Sequence, residues 1–333
     1  MLKKGIAFAG NLVVDQIKYV TSYPPPHTLT TITDMARSTG GLVCNCVLDV
    51  AKMAPAVPVK AVGIVGQDEQ GDYILEQLNA HPSVDTSAVL RQGSTSFTDV
   101  MTESNGSRTF FQYRGANALL RPEHFDFTRL EADILHVGYI LLLDGLDCPD
   151  DQYPTAMCRV LAEAQKAGIA TSVDVVSEDS QRFVQFVPPA LAYTDYCIIN
   201  EIESSRTTGI PLRDSSDKVL TENLPKVCRR LREMGVGRWV VIHMPELSCG
   251  MAEDGVYYQE ESWLIPDGFK KSSVGAGDAF ASAVLYSAYQ GWPLDKAIHI
   301  AGAVAAYSLS GTGACDAILP LPQLLAEMEG YQR

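Results

Sequence analysis

The chain has 333 residues, 46% hydrophobic and 20% charged, which argues against disorder and suits one large α/β unit carrying a small insertion. Its formal charge of −14, with no run of lysine or arginine, argues against binding nucleic acid or an anionic membrane through a basic surface, so any phosphate must be held locally by backbone amides or a metal. No stretch approaches the roughly 18 apolar residues of a membrane span, and the eight cysteines have neither zinc-ligand nor redox-pair spacing, so a cytoplasmic protein with reduced thiols is expected.

In chain order, Gly5 to Gly10 reads as a first buried strand. Gln16 to Thr39, with Pro24-Pro25-Pro26, breaks the regular pattern, and Gly40-Gly41 then leads into a helix to about Met53. Val62 to Gly71 runs from a strand through a turn into a helix over Asp72 to Leu78, a mainly structural role. Thr95 to Arg114 contains Asn105-Gly106, a tight-hairpin signal, with Phe97, Asp99 and Met101 on one face and Thr98, Val100 and Thr102 on the other. Ile134 to Val137, Ala170 to Val175, Tyr196 to Ile199 and Trp239 to Ile242 are strand-like runs with amphipathic segments between them, the pattern of βαβ units around a parallel sheet. The helical spacing over Tyr153 to Ala167 stops at Gly168. The expected architecture is α/β: a core of residues 1–15, 40–94 and 115–333, with a small β-rich lid of residues 16–39 and 96–114.

Four stretches carry chemistry. Ser272-Ser273-Val274-Gly275-Ala276-Gly277-Asp278 opens a helix to about Gln290; small residues there admit close backbone approach, and free amides at a helix start attract an anion. Asp278 in that first turn suits a general base for a hydroxyl, although the same residues also suit a tight turn with a helix cap. Gly10-Asn11-Leu12-Val13-Val14-Asp15 ends in an acid able to accept hydrogen bonds from neighbouring hydroxyls, and Asn45 beyond Gly41 offers an amide. Asn200 and Glu203 lie on one helical turn, either as a capping box or as an amide and carboxylate suited to a hydrated magnesium ion. Neither a Walker pattern nor a Gly-x-Gly-x-x-Gly fingerprint occurs.

Taken in order, Gly10 to Asp15, Gly40-Gly41 with Asn45, Gly63 to Gly71, Asn200 with Glu203, and Gly275 to Asp278 resemble the ribokinase-like (PfkB) sugar kinases across nearly the whole chain. The resemblance implies a Rossmann-like parallel sheet flanked by helices, with a small β lid that covers the sugar and often mediates homodimerisation. It implies ATP and Mg2+: Asp278 as base, Gly275, Ala276 and Gly277 as anion hole, and Asn200 and Glu203 organising magnesium and phosphates. Asn11, Asp15, Gly41 and Asn45 would contact the acceptor, with Asp144 a further candidate. Two positions depart from the family. Ser272-Ser273 stands where Asp-Thr is usual, which puts monovalent-cation activation in doubt, and Val241-Ile242-His243-Met244 replaces a Thr-x-Gly turn, which makes His243 a candidate nucleotide contact. The acceptor expected is a sugar or sugar acid. A nucleoside kinase, with Phe111 and Tyr113 stacking on a base, and a non-catalytic sensor are the alternatives.

Overall fold

The computed structural model describes residues 3–177, 181–266 and 268–333. In chain order the strands are β1 (Ile6–Gly10), β2 (Val13–Val20), β3 (Ile32–Gly40), β4 (Val59–Val65), β5 (Val84–Arg91), β6 (Phe97–Glu103), β7 (Arg108–Tyr113), β8 (Ile134–Ile140), β9 (Ala170–Val175), β10 (Tyr196–Asn200), β11 (Trp239–His243), β12 (Leu247–Met251) and β13 (Tyr257–Glu261). The helices are α1 (Gly41–Met53), α2 (Glu69–Asn79), α3 (Ala156–Lys166), α4 (Arg182–Leu191), α5 (Glu201–Thr208), α6 (Leu224–Glu233), α7 (Ala276–Gln290), α8 (Leu294–Ser308) and α9 (Leu321–Met328).

Nine strands form one sheet in the order β13-β12-β11-β10-β9-β8-β1-β4-β5. Every pairing from β5 across to β11 is parallel, and β12 and β13 close the far edge antiparallel. The central strands are buried on both faces, so β1 is a continuous apolar run and β8 and β9 carry their few polar residues buried rather than alternating with apolar ones. Along β1, Ile6 and Phe8 enter one core layer with residues of α1, α7 and α8, while Ala7 and Ala9 enter the other with residues of α3, α4 and α6. Both layers are needed because a parallel sheet exposes apolar side chains on each face.

The remaining four strands form a second sheet, ordered β3-β2-β6-β7, in which β2 and β6 run parallel and the outer pairs antiparallel. The alternation read in the hairpin is realised: Thr98, Val100 and Thr102 are buried and the other face of β6 is not. This sheet begins at Val13, so Asp15 lies on β2 and pairs across to Ser38 and Thr98.

Residues near the carboxyl ends of β1, β8, β9, β10 and β11 are Asn11, Tyr139, Asp174, Asn200 and His243. Open parallel sheets bind ligands at this edge, because the crossovers leave a crevice there.

Candidate active site

The N-terminus of α7 is the centre of the site. Gly275 has φ +78°, and a Cβ there would come within 2.5 Å of the Ala314 Cβ, so only glycine lets this loop turn tightly against the neighbouring segment. First-turn amides of a helix lack intrahelical acceptors and face outward with a partial positive charge. Asp278, one turn in, is buried. Its Oδ2 accepts a hydrogen bond from Asn45 Nδ2 at 2.8 Å, and the Tyr139 hydroxyl donates to Oδ1 at 2.7 Å and to Oδ2 at 2.8 Å. Burial pushes the Asp278 pKa up to about 6, and the Asn45 and Tyr139 donors hold it from rising further.

Asn45 reaches Asp278 because α1 packs directly on α7. Helix α1 starts at Gly41, whose φ is +79° and whose Cβ, if present, would meet the Asn11 carbonyl at 2.6 Å. The chain is therefore drawn close to Asn11, whose amide nitrogen donates to Gly138 O at 3.1 Å and whose Oδ1 accepts from Tyr139 N at 2.7 Å. Asp15, on the small sheet, has its pKa raised to about 6 by burial, opposed by a hydrogen bond with Thr98 and by the charge of Arg108. Arg108, on β7, also donates to Ser272 Oγ at 3.5 Å, and so spans from the lid to the loop before α7. Asp144 is half exposed, and Arg114 lies 3.7 Å away from it.

On the other side of the α7 N-terminus lies a cleft of about 670 Å³. Ser273, Ala276 and Gly277 line it together with Asn200, His243, Phe280 and the apolar wall of Trp263, Leu264 and Ile265. His243 stacks on Phe280 with centroids 5.0 Å apart, and its pKa falls to about 4 because burial disfavours the imidazolium. Asn200 caps α5, its Oδ1 accepting from the amides of Ile202 and Glu203 at 2.9 Å each. Glu203 returns the contact, Oε2 accepting from Asn200 N at 3.0 Å, while Oε1 accepts from Asn200 Nδ2 at 2.6 Å and Ser177 Oγ at 2.7 Å. The capping box is therefore formed. It does not exhaust the pair's electrostatics, because burial raises the Glu203 pKa to about 7.

Two residues, Tyr139 and Asp174, join these groups without having stood out in the sequence reading, and Arg108, which the sequence offered only as a possible positive charge at the pocket, joins them as well. Tyr139 contacts Asp278 directly. Asp174 is buried between Glu203 and Asp278 electrostatically, and desolvation followed by the Glu203 and Asp278 charges pushes its pKa well up. Arg108 acquires partners only when the lid folds over the core. An available signal was position: Tyr139 and Asp174 sit near the carboxyl ends of buried strands, as Asn200 does. Among the described residues, no cluster of three or more His, Cys, Asp or Glu side chains is arranged to hold a metal ion.

The two-sheet fold has known counterparts. A ribokinase from Arabidopsis thaliana, solved with ribose and ATP, superposes with a TM-score of 0.81 at 20% identity, covering 98% of this chain and 99% of that one. A Thermotoga maritima ribokinase superposes with a TM-score of 0.79 at 19% identity, covering 98% and 99%. In sequence, a 5-dehydro-2-deoxygluconokinase of Geobacillus thermodenitrificans is 21% identical over 95% of this chain and 90% of its own length, and one of Shouchella clausii 22% over 87% and 86%. The sequence pattern of the pfkB family carbohydrate kinases matches residues 3–321, and with that match over the two-sheet fold the chain belongs to the PfkB family of carbohydrate kinases.

Proposed function

We propose that this carbohydrate kinase transfers the γ-phosphoryl group of ATP to a hydroxyl of a sugar acid, with Asp278 as the general base. The observation that carries the reading is the position of the α7 N-terminus between two compartments, with a buried, doubly hydrogen-bonded carboxylate on one side and a nucleotide-sized cleft on the other. In the step, the acceptor hydroxyl gives its proton to Asp278 as its oxygen bonds to the γ-phosphorus. The bond from that phosphorus to the β–γ bridging oxygen breaks, and ADP leaves with the electron pair. The Gly275, Ala276 and Gly277 backbone offers positive potential where charge builds on the transferring group.

Asn200 and Glu203 fit a hydrated magnesium ion that also takes nucleotide phosphate oxygens. The Glu203 charge helps push the pKa of buried Asp174 well up, so a cation nearby would relieve both the charge and its burial. Bound there, magnesium would neutralise charge on the nucleotide phosphates. His243, stacked beside Gly277, would bound the nucleotide side. Ser272 brings no charge, so we expect no dependence on a monovalent cation.

A sugar acid is preferred over a neutral sugar because Arg108 brings a guanidinium into the space between Asp15 and Ser272. The named substrate of the relatives, a dehydro-deoxygluconate, is of this class. The nucleoside reading is weaker: Tyr113 packs against Phe97 at 5.4 Å and Phe111 stacks on Tyr23 at 6.3 Å, so each ring already has an aromatic partner. Half-exposed Phe110, Phe111 and Tyr113 on the edge strand β7 suit homodimerisation through the lid. Eight unpaired cysteines suit a reducing cytoplasm, and no helix among the described residues is long and apolar enough to cross a membrane.

The test is ADP release over a panel of 5-dehydro-2-deoxygluconate, other sugar acids, neutral sugars and nucleosides. A sugar acid should give the highest kcat/KM, and Arg108→Ala should raise its KM by about 10-fold or more, as expected for loss of a charge-assisted hydrogen bond. A neutral sugar or nucleoside that outperforms every acid overturns the acceptor class. Silence across the panel favours a non-catalytic sensor.

A further inference from the structure

Asp278 has an asymmetric set of partners. Asn45 Nδ2 donates to Oδ2 at 2.8 Å, whereas the one Tyr139 hydroxyl proton is shared between Oδ1 at 2.7 Å and Oδ2 at 2.8 Å. A carboxylate oxygen offers two lone pairs. The single Tyr139 proton is shared between the two oxygens while Asn45 engages Oδ2 alone, so among the described residues Oδ1 is the less engaged oxygen. We propose that Tyr139 is a positioning residue for Asp278: its hydroxyl, opposed by Asn45, pins the carboxylate and leaves Oδ1 as the atom that receives the acceptor's proton.

The inference rests on the reading of Asp278 as base, and the surroundings of Tyr139 support it independently. Asn11 holds the segment that presents Tyr139 from two directions, accepting from Tyr139 N at 2.7 Å and donating from its own backbone to Gly138 O at 3.1 Å. The phenol cannot supply the negative charge in place of Asp278, because burial and the adjacent Asp278 charge push its own pKa well up. It remains a neutral donor. A neutral donor aimed at a buried carboxylate stabilises the ionised form, which is the form a base needs. Tyr139 thus opposes the desolvation that draws Asp278 upward.

The experiment compares wild type, Tyr139→Phe and a protein with 3-fluorotyrosine at position 139. Each is labelled with 13C at the aspartate side-chain carboxyl, and the Asp278 resonance is assigned by its loss in Asp278→Asn. Phenylalanine keeps the ring and removes the hydroxyl, so the Asp278 midpoint should move to higher pH by roughly one unit. Fluorotyrosine keeps the shape and is a stronger donor, so the midpoint should move the opposite way. A role in packing alone predicts no reversal of sign, and unchanged midpoints, or shifts of one sign in both variants, overturn the proposal. Should Tyr139→Phe fail to fold, the fluorotyrosine arm decides, since it changes no more than one ring hydrogen.

The titration needs no substrate. If the midpoints shift as stated but no acceptor is phosphorylated, the kinase reading fails and the Tyr139 assignment stands. If phosphoryl transfer is found and the midpoints do not move, the reverse holds. With an active acceptor, the acidic limb of kcat/KM should move with the midpoint in Tyr139→Phe, leaving the KM for ATP unchanged.

Discussion

The two sides of the α7 N-terminus are built on different terms. Toward Asp278, side chains from β8, α1 and the turn after β1 converge at hydrogen-bond distance, and the carboxylate is paired by the protein's own donors. Toward the cleft, the walls are mostly apolar, and the polar groups at the rim are engaged with one another in the Asn200–Glu203 cap. A buried carboxylate without partners is costly, so the first side must be organised by the protein itself. A nucleotide carries its own phosphates and counter-ion, so the second side needs only a shaped space with a few polar groups at its edge. The Asp278 side is thus organised by the protein itself, and under the proposed function the cleft would be completed by the nucleotide that binds.

Substitutions on either side can break this comparison. The largest effect is expected for Asp278→Asn, which should lower kcat by about 10³-fold or more while ATP binding, measured by calorimetry, changes little. Near-wild-type turnover would remove Asp278 from the reaction. Glu203→Gln comes next: it should weaken MgATP binding and cost about 10- to 100-fold in activity, seen as a raised KM for MgATP with the acceptor KM unaffected. A rise in the acceptor KM instead would mean that the two sides are not separable.

The smallest effect concerns an exception on the well-organised side. Asp49 lies on α1 one turn beyond Asn45, fully buried, with no nitrogen or oxygen partner for either carboxyl oxygen among the described residues and the weakly donating Cys315 thiol beside it. Desolvation, reinforced by the Asp278 charge, pushes its pKa well above 3.8. The folded state therefore favours the protonated form: Asp49 is tolerated at low pH and costs stability as pH rises from the unfolded-state value toward the raised folded-state value. Asp49→Asn should raise Tm by a few degrees at pH 8 and by progressively less toward pH 4, followed by calorimetry at each pH. An equal change at both ends of that range would point to packing rather than ionisation.

Much of the fold was legible because it follows from local pattern. Apolar runs at Ile134, Ala170, Tyr196 and Trp239 became adjacent strands, the helix expected over Tyr153 to Ala167 forms as Ala156–Lys166 behind a Thr155 cap, and Asn105-Gly106 joins β6 to β7. The candidate groups were legible one by one as residue types near turns and strand ends. Their grouping was not. Asn45 and Asp278 are 233 residues apart, and Tyr139 is 139 from Asp278, separations that no local period encodes. Arg108 could be offered from the sequence as positive charge at the pocket, but its partner, Ser272, came only with the fold.

What the sequence by itself determined was the set of elements and the special residues at their ends, since helix starts, glycine turns and buried strands depend on neighbours a few positions away. The tertiary structure alone decided which of those ends meet, how far burial moves each acid, and that Asp144 lies beside Arg114. Desolvation and pairing depend on everything packed around a group, and the chain supplies those neighbours from all along its length.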